Sequence, residues 1–251
     1  MCIRDSIVLG HEGAGIVEQV GPGVTTVKAG DHVVLTGAAS CGKCRYCVSG
    51  MPSICEVFGP LLFKGTLPRG QRRLRKNGQY LNHMFMQSSF AEYAVVPQEA
   101  AIKIREDAPL ETVGFLGCGG MTGIGSVVNT ARVEAGANVA IFGCGGVGMS
   151  ALIAAKLVGA RKLIAIDTID NKLNLARELG ASNTINAARE KAVPRIKQLT
   201  DGGTDYSFAA VGKADIIAQA FDALRPGGKC IVIGGSPDTR KLTFNGATLL
   251  Q

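Results

Sequence analysis

The pattern of apolar positions changes partway along the chain. Up to about Gly120 the apolar segments are short and broken by Gly and Pro. Ala14–Val20, Asp31–Leu35 and Phe90–Val96 alternate or cluster in the manner of strands. From Asn138 onward, strand and helix patterns take turns. The apolar run Asn138–Phe142 leads into glycines and then a helical pattern over Met149–Val158, which ends at Gly159. Lys162–Ile166 predicts a strand and Asn171–Leu179 a helix ended by Gly180. Ala192–Leu199 reads as a helix with Pro194 in its first turn, where a missing N–H is tolerated. Tyr206–Ala210, Asp215–Leu224 and Cys230–Gly234 continue the alternation. Four strand patterns interleaved with four helix patterns predict an α/β domain with a doubly wound parallel sheet. The boundary between the halves is expected near Thr122–Thr130, giving one domain over residues 1–122 and another over 123–251.

A length of 251 residues suits one large or two modest domains. An apolar content of 46% is ample for a core, and global disorder is excluded. No apolar run approaches the ~18–20 residues of a membrane-spanning helix. Met1–Gly10 holds Arg4 and Asp5 and lacks the apolar core of a secretory signal. A cytoplasmic protein with no membrane partner is therefore expected, and there eight cysteines argue for metal or thiol chemistry over disulfides. The net charge of +7 is concentrated: Arg69, Arg72, Arg73, Arg75 and Lys76 fall within eight residues. Such a run can bind nucleic acid or anions. No aromatic residue lies inside it to stack on bases. A solvated loop is the expectation, with no nucleic-acid partner.

Cys41, Cys44, Cys47 and Cys55 read C-G-K-C-R-Y-C, then seven residues, then C. Zinc takes soft ligands at tetrahedral corners, and two-residue spacings let a tight turn aim successive thiolates at one ion. Lys43 and Arg45 favour thiolates over thiols. Four protein sulfurs close the site, so its role is structural.

Gly143-Cys144-Gly145-Gly146-Val147-Gly148 follows the strand Asn138–Phe142 and opens a helix. This is the G-x-G-x-x-G of a dinucleotide-binding Rossmann unit, with glycines for the tight turn, the pyrophosphate approach and the helix–strand contact. The helix N-terminus offers N–H groups to phosphates. Asp167 ends the next strand nineteen residues after Gly148, close to the ~20 expected of the acidic ribose partner. A carboxylate there favours NAD over NADP.

Gly10-His11-Glu12-Gly13-Ala14-Gly15 sets a histidine beside a carboxylate, and Leu116-Gly117-Cys118-Gly119-Gly120-Met121-Thr122-Gly123 sets a cysteine among glycines. Spacing alone cannot join the two. Their order with the cysteine loop and G-C-G-G-V-G resembles the zinc-dependent medium-chain alcohol dehydrogenases, from about Val8 to Leu250. The long segment between Cys55 and Phe90-Ala91-Glu92-Tyr93 is similar to the branch holding liver-type, glutathione-dependent formaldehyde and nitrosodimethylaniline-dependent enzymes.

The resemblance implies a mostly-β, GroES-like catalytic domain before the Rossmann domain. It implies an enzyme that oxidises an alcohol, or reduces an aldehyde or ketone, with NAD and zinc. His11 and Cys118 match two of three catalytic zinc ligands, Glu12 the acidic neighbour of that zinc, and Thr122 a residue packing on the nicotinamide. Cys41, Cys44, Cys47 and Cys55 match the structural zinc ligands. Cofactor contacts are implied at Gly143, Gly145, Gly146, Val147, Gly148, Asp167, Lys172, Val211 and Gly234, with Gly212 and Ile233 also at the bordering strand ends. Met84 and Phe85 fall where the family lines its substrate pocket. A homo-oligomer, dimer or tetramer, is expected. The family's first catalytic ligand is a Cys about twenty residues before the histidine, followed by a hydroxyl residue that relays the alcohol proton. Only ten residues precede His11, and Cys2 with Ile3-Arg4-Asp5-Ser6 does not match that motif. A fragment of a longer enzyme, lacking one catalytic ligand, is expected.

Overall fold

A computed structural model of the chain describes residues 6–235 and 242–243. Cys2 lies outside the described residues. Two units emerge, one ending at Cys118 and the other beginning at Gly119.

In the first unit, β1 (Ile7–Val8), β2 (Ala14–Ile16) and β3 (His32–Leu35) come first, followed by a one-turn helix α1 (Arg45–Val48). β4 (Arg75–Lys76), β5 (Gln79–Tyr80), β6 (Asn82–His83), β7 (Ala101–Lys103) and the short α2 (Leu110–Val113) follow. An antiparallel sheet β2-β3-β7 carries the apolar residues Val33, Leu35 and Ala101 against Val17, Val27 and Val96. β1 pairs with β6 in parallel, Ile7 opposite Asn82 and Val8 opposite His83. The basic run includes β4 of a hairpin turned by Asn77 (φ 49°) and Gly78 (φ 79°), the two left-handed residues a tight two-residue hairpin needs. Its Arg75 stacks over Tyr80 of the next strand, 4.2 Å from the ring centroid, so that aromatic is engaged within the hairpin.

The strand expected over Phe90–Val96 does not form. Among the described residues no strand pairs with it, and a strand exists only as half of a hydrogen-bonded ladder. Phe90, Tyr93 and Val95 are exposed there.

The second unit opens with α3 (Gly119–Gly125), which runs into a π-helical turn over Ser126–Ala131. β8 (Asn138–Phe142), α4 (Gly146–Leu157), β9 (Lys162–Asp167), α5 (Asp170–Leu179), β10 (Asn183–Asn186), α6 (Ala192–Thr200), β11 (Thr204–Ala209), α7 (Ala214–Asp222) and β12 (Leu224–Val232) follow. All pairings are parallel, in the order β10-β9-β8-β11-β12. β8 shows why this sheet is wound on both faces. Its Val139 and Ile141 share a core with Leu152 and Ala155 of α4 and Leu173 and Ala176 of α5. Ala140 and Phe142 share the other with Ile196 of α6 and Ile217 and Ala220 of α7. Period-two alternation with both faces apolar is what a buried parallel strand requires. Pro194 is the third residue of α6, within its first turn. β10 went unpredicted because, of Asn-Thr-Ile-Asn at this sheet edge, only Ile185 is buried.

Candidate metal and nucleotide sites

The four-cysteine loop wraps α1. Cys44 caps that helix, and Cys47 lies within it. Sulfur atoms of Cys44 and Cys47 stand 3.5 Å apart, and those of Cys44 and Cys55 4.0 Å apart. A tetrahedron of Zn–S bonds of ~2.3 Å has edges of about 3.8 Å, and all four sulfurs lie within 4.8 Å of one another. Backbone N–H groups are aimed at the sulfurs: Cys41 N–H donates to Cys55 Sγ at 3.4 Å and Cys44 N–H to Cys41 Sγ at 3.3 Å. Burial pushes the Cys55 thiol up, but the N–H groups of Phe58, Cys41 and Val57 outweigh it and bring it down to about 6. N–H groups of Cys47 and Glu56 lower Cys44 as well. Cys47 is pushed up to about 11 by burial and by the Cys44 sulfur beside it. Crowding of sulfurs raises Cys47 while Cys44 and Cys55 are favoured as thiolates, the behaviour of a cluster short of positive charge.

His11, Glu12 and Cys118 form a second donor group, each offering a ligand atom within 4.8 Å of the others. His11 is half-buried against the Phe85 ring, edge to face at 4.7 Å, and Phe63 meets Phe85 at 5.7 Å. Two glycines let residues 107 positions apart converge. A Cβ on Gly117 would stand 1.9 Å from the Leu35 carbonyl oxygen, and one on Gly114 would stand 2.5 Å from that of Glu12. Only bare backbone allows the Cys118 turn to press onto β3 and onto the Glu12 peptide. Reading the sequence made Glu12 a neighbour of the metal; the structure places its carboxylate within the donor set itself. Met84 and Phe85 are half-buried, and Thr122 lies on α3, in the second unit.

The nucleotide-type loop is built between β8 and α4. Gly143 takes φ 98°, and its bare Cα faces Val211, whose Cγ2 would lie 2.3 Å from a Cβ. A Cβ on Gly148 would stand 1.8 Å from the Gly143 carbonyl oxygen. Gly145 and Gly146 have nothing within 4 Å and are exposed. Gly145 caps α4 without a side chain, leaving the helix's first N–H groups bare. Val147 is half-buried in the first turn of α4. Asp167 locks the loop. Its Oδ2 accepts from Cys144 N–H at 2.8 Å, and its Oδ1 accepts from the N–H groups of Thr168 at 2.8 Å and Ile169 at 3.1 Å. Lys172 Nζ stands 4.0 Å from Oδ2. Cys144 is a buried, inert thiol, pushed up to about 12 by burial and the Asp167 charge. Gly234 and Gly212 pack backbone to backbone at the ends of β12 and β11. Because β8 has β9 on one side and β11 on the other, the chain reverses its winding here, where α/β sheets open a ligand crevice.

Comparison with known proteins bears on both units. The model of the alcohol dehydrogenase GroES-like domain matches residues 3–106, and that of the zinc-binding dehydrogenase domain matches residues 146–251. The alcohol dehydrogenase zinc-binding domain protein of Burkholderia ambifaria superposes with a TM-score of 0.92 at 44% identity, over 99% of this chain and 68% of its own. The chain belongs to the zinc-dependent medium-chain alcohol dehydrogenase family. Benzyl alcohol dehydrogenase of Acinetobacter calcoaceticus superposes with a TM-score of 0.86 at 39% identity, over 97% of this chain and 66% of its own. Alcohol dehydrogenase class-3 of Drosophila melanogaster is 42% identical over 233 residues, 91% of this chain and 62% of that relative. S-(hydroxymethyl)glutathione dehydrogenase of Saccharomyces cerevisiae is 42% identical over 234 residues, 90% of this chain and 61% of that relative. The chain thus spans about three fifths of the length of the curated family members it matches. Its fold is the family's: a GroES-like first domain and an α/β domain with a parallel sheet. Among the described residues no helix is long and apolar enough to cross a membrane.

Proposed function

We propose that this protein is an NAD-dependent zinc alcohol dehydrogenase, moving a hydride between a small alcohol, or its aldehyde or ketone, and the nicotinamide. The observation that carries the reading is the convergence of His11, Glu12 and Cys118 into one donor group. Three protein donors that leave one position open are the mark of a catalytic zinc site. The donor set, one imidazole, one thiol and one carboxylate, suits zinc. Bound there, zinc supplies a Lewis acid for the substrate oxygen, and the nicotinamide supplies the hydride acceptor.

The remaining work falls to the chain's own groups. Cys41, Cys44, Cys47 and Cys55 hold a structural zinc that closes their loop. Phe85, with Met84 beside it, gives the substrate an apolar wall next to His11, and the alcohol's carbon end rests there. Gly143, Gly145, Gly146, Val147 and Gly148 leave room for a pyrophosphate against the bare N-terminus of α4. Asp167, oriented by three N–H groups, accepts from the ribose hydroxyls, with Lys172 beside it; Val211 and Gly234 border the same sheet edge, and Thr122 packs on the nicotinamide. The catalytic domain gives way to the nucleotide domain at the start of α3, within a few residues of the boundary expected at 122–123.

Metal analysis with steady-state NAD reduction on a panel of primary alcohols tests this. Two zinc ions per chain are expected. Cys44→Ser should lose one of them. His11→Ala should lose the other and all turnover while NAD still binds. Turnover that survives His11→Ala would refute the assignment.

A further inference from the structure

The segment from Met84 to Phe90 runs beside the segment from Val8 to Gly13 and is bonded to it repeatedly. Ser89 N–H donates to the Gly10 carbonyl and Phe90 N–H to the Leu9 carbonyl, each at 3.1 Å. Ser88 Oγ donates to the Val8 carbonyl at 2.8 Å. Gly10 and Gly13 make the approach possible. A Cβ on Gly10 would stand 2.4 Å from Phe90 N, and one on Gly13 would stand 2.7 Å from Ser89 Cβ. The histidine between these glycines is touched by the same turn through the Phe85 ring.

The turn is held in a costly conformation. Phe85 (φ 48°), Met86 (φ 60°) and Ser88 (φ 59°) all sit in the left-handed region, which non-glycine residues avoid. Gln87 is 1% exposed, and neither of its amide atoms has a partner among the described residues. Strain of this kind persists only where the surroundings over-determine it, and it gathers at functional sites. Backbone bonds help close the turn, Gln87 N–H and Ser88 N–H donating to the Met84 carbonyl at 2.9 and 3.2 Å, and one buried hydroxyl adds the side-chain tie to Val8. Ser88 Oγ accepts from Met84 N–H at 3.0 Å, closing the turn, while it donates to Val8, three residues before His11. Ser88 itself is 1% exposed, so the hydroxyl is buried at this contact.

We infer that Ser88 is the positioning residue of the catalytic metal site. Through the Val8 carbonyl and the Phe85 ring it fixes His11 toward Cys118 and Glu12. The inference rests on the reading of His11 as a metal ligand. Neither residue type nor spacing singles out Ser88; its role comes from the two hydrogen bonds and the turn they close.

The test compares the whole chain with Ser88→Gly, Ser88→Ala and His11→Ala. Zinc affinity is measured by chelator competition, and the ligand field by the visible spectrum of the cobalt-loaded protein. Ser88→Gly removes the hydroxyl and also relieves the left-handed φ, so folding is spared; Ser88→Ala removes the hydroxyl and keeps the strain. Both should weaken zinc at the His11 site by about 10–100-fold, as removal of a group orienting a metal ligand does. Both should shift the cobalt bands of that site while the four-cysteine metal stays bound. A merely structural role would change melting without moving the cobalt spectrum. If Ser88→Gly matches the parent in zinc affinity and cobalt spectrum while His11→Ala differs, the inference about Ser88 is overturned and the metal assignment stands. If His11→Ala also matches the parent, the metal assignment falls, and this inference with it.

Discussion

Two glycines of one loop, three residues apart, should fail in opposite ways when each gains a methyl group. Gly148 has no room: its Cβ would lie 1.8 Å from the Gly143 carbonyl oxygen, against a closest tolerable approach of 3.0 Å. Loop and helix must part by roughly 1.2 Å, the difference of those two distances. The obstacle is backbone, which has no other rotamer to adopt. Overpacking costs ~1–3 kcal/mol, and Gly148→Ala should sit at the upper end, about 3 kcal/mol. For a unit of this size that lowers the melting temperature by about 10 °C.

Gly145 has nothing within 4 Å and takes φ −84° and ψ −173°, which any residue can adopt. Alanine there stiffens the unfolded chain, worth ~0.4–1 kcal/mol, and weakens the helix N-cap by a similar amount. Stability should move by no more than about 0.5 kcal/mol. The methyl group would instead occupy the space left for the pyrophosphate, and NAD affinity should fall at least tenfold, ~1.4 kcal/mol. Urea unfolding and calorimetric titration with NAD separate the two. A Gly148→Ala protein as stable as the parent, or a Gly145→Ala protein that binds NAD undiminished, would refute the division of labour argued here.

Two further outcomes follow from charge. Asp167→Ser removes the proposed acceptor for the ribose hydroxyls, so the preference for NAD over NADP should narrow by roughly 1–3 kcal/mol; titrating both cofactors checks it, and an unchanged ratio would contradict the role. His83 is buried, and burial first, then the Arg72 charge, lowers its pKa below 6.5. Its neutral ring is therefore preferred on folding, so stability is fully present above pH 6.5 and is lost as pH falls through the lowered value; unfolding midpoints between pH 7 and 5 should show a fall that His83→Gln flattens.

The sites were legible in the sequence wherever the chemistry is local. The cysteine loop and the glycine fingerprint each lie within a few turns of chain, and spacing alone predicts what they build. His11 and Cys118 were joined only by family resemblance, because the contact between them depends on how β3 and the Cys118 turn pack. Glu12 was read as the acidic neighbour of the zinc, and adjacency to His11 alone says nothing of where its carboxylate points. Among the elements, β10 escaped notice because an edge strand with one buried residue carries little apolar pattern. Phe90–Val96 misled because its pattern suits a strand but, among the described residues, nothing pairs with it. Ser88 carries no sequence signal at all; serine in a turn is ordinary, and its role depends on a carbonyl eighty residues away.

Close contact between backbone and backbone sets the geometry of both candidate sites. A Cβ on Gly114 would meet the Glu12 carbonyl, on Gly117 the Leu35 carbonyl, on Gly123 the Val147 carbonyl, and on Gly148 the Gly143 carbonyl. The first two bring the candidate zinc donors together, the third seats α3 against α4, and the fourth shapes the phosphate loop. A side chain in any of these places would push a peptide plane away from the site, and no rotamer change could restore it. The chemistry-bearing residues can be counted from the sequence, but their convergence is set by glycines that carry no chemistry. Glycine-to-alanine changes at positions 114 and 117 should therefore weaken zinc at the proposed His11 site as surely as loss of a ligand does, and leave zinc at the proposed four-cysteine site unchanged. Retention of both metals with parental affinity in Gly117→Ala would show that the Cys118 turn reaches His11 by some route other than close contact with β3.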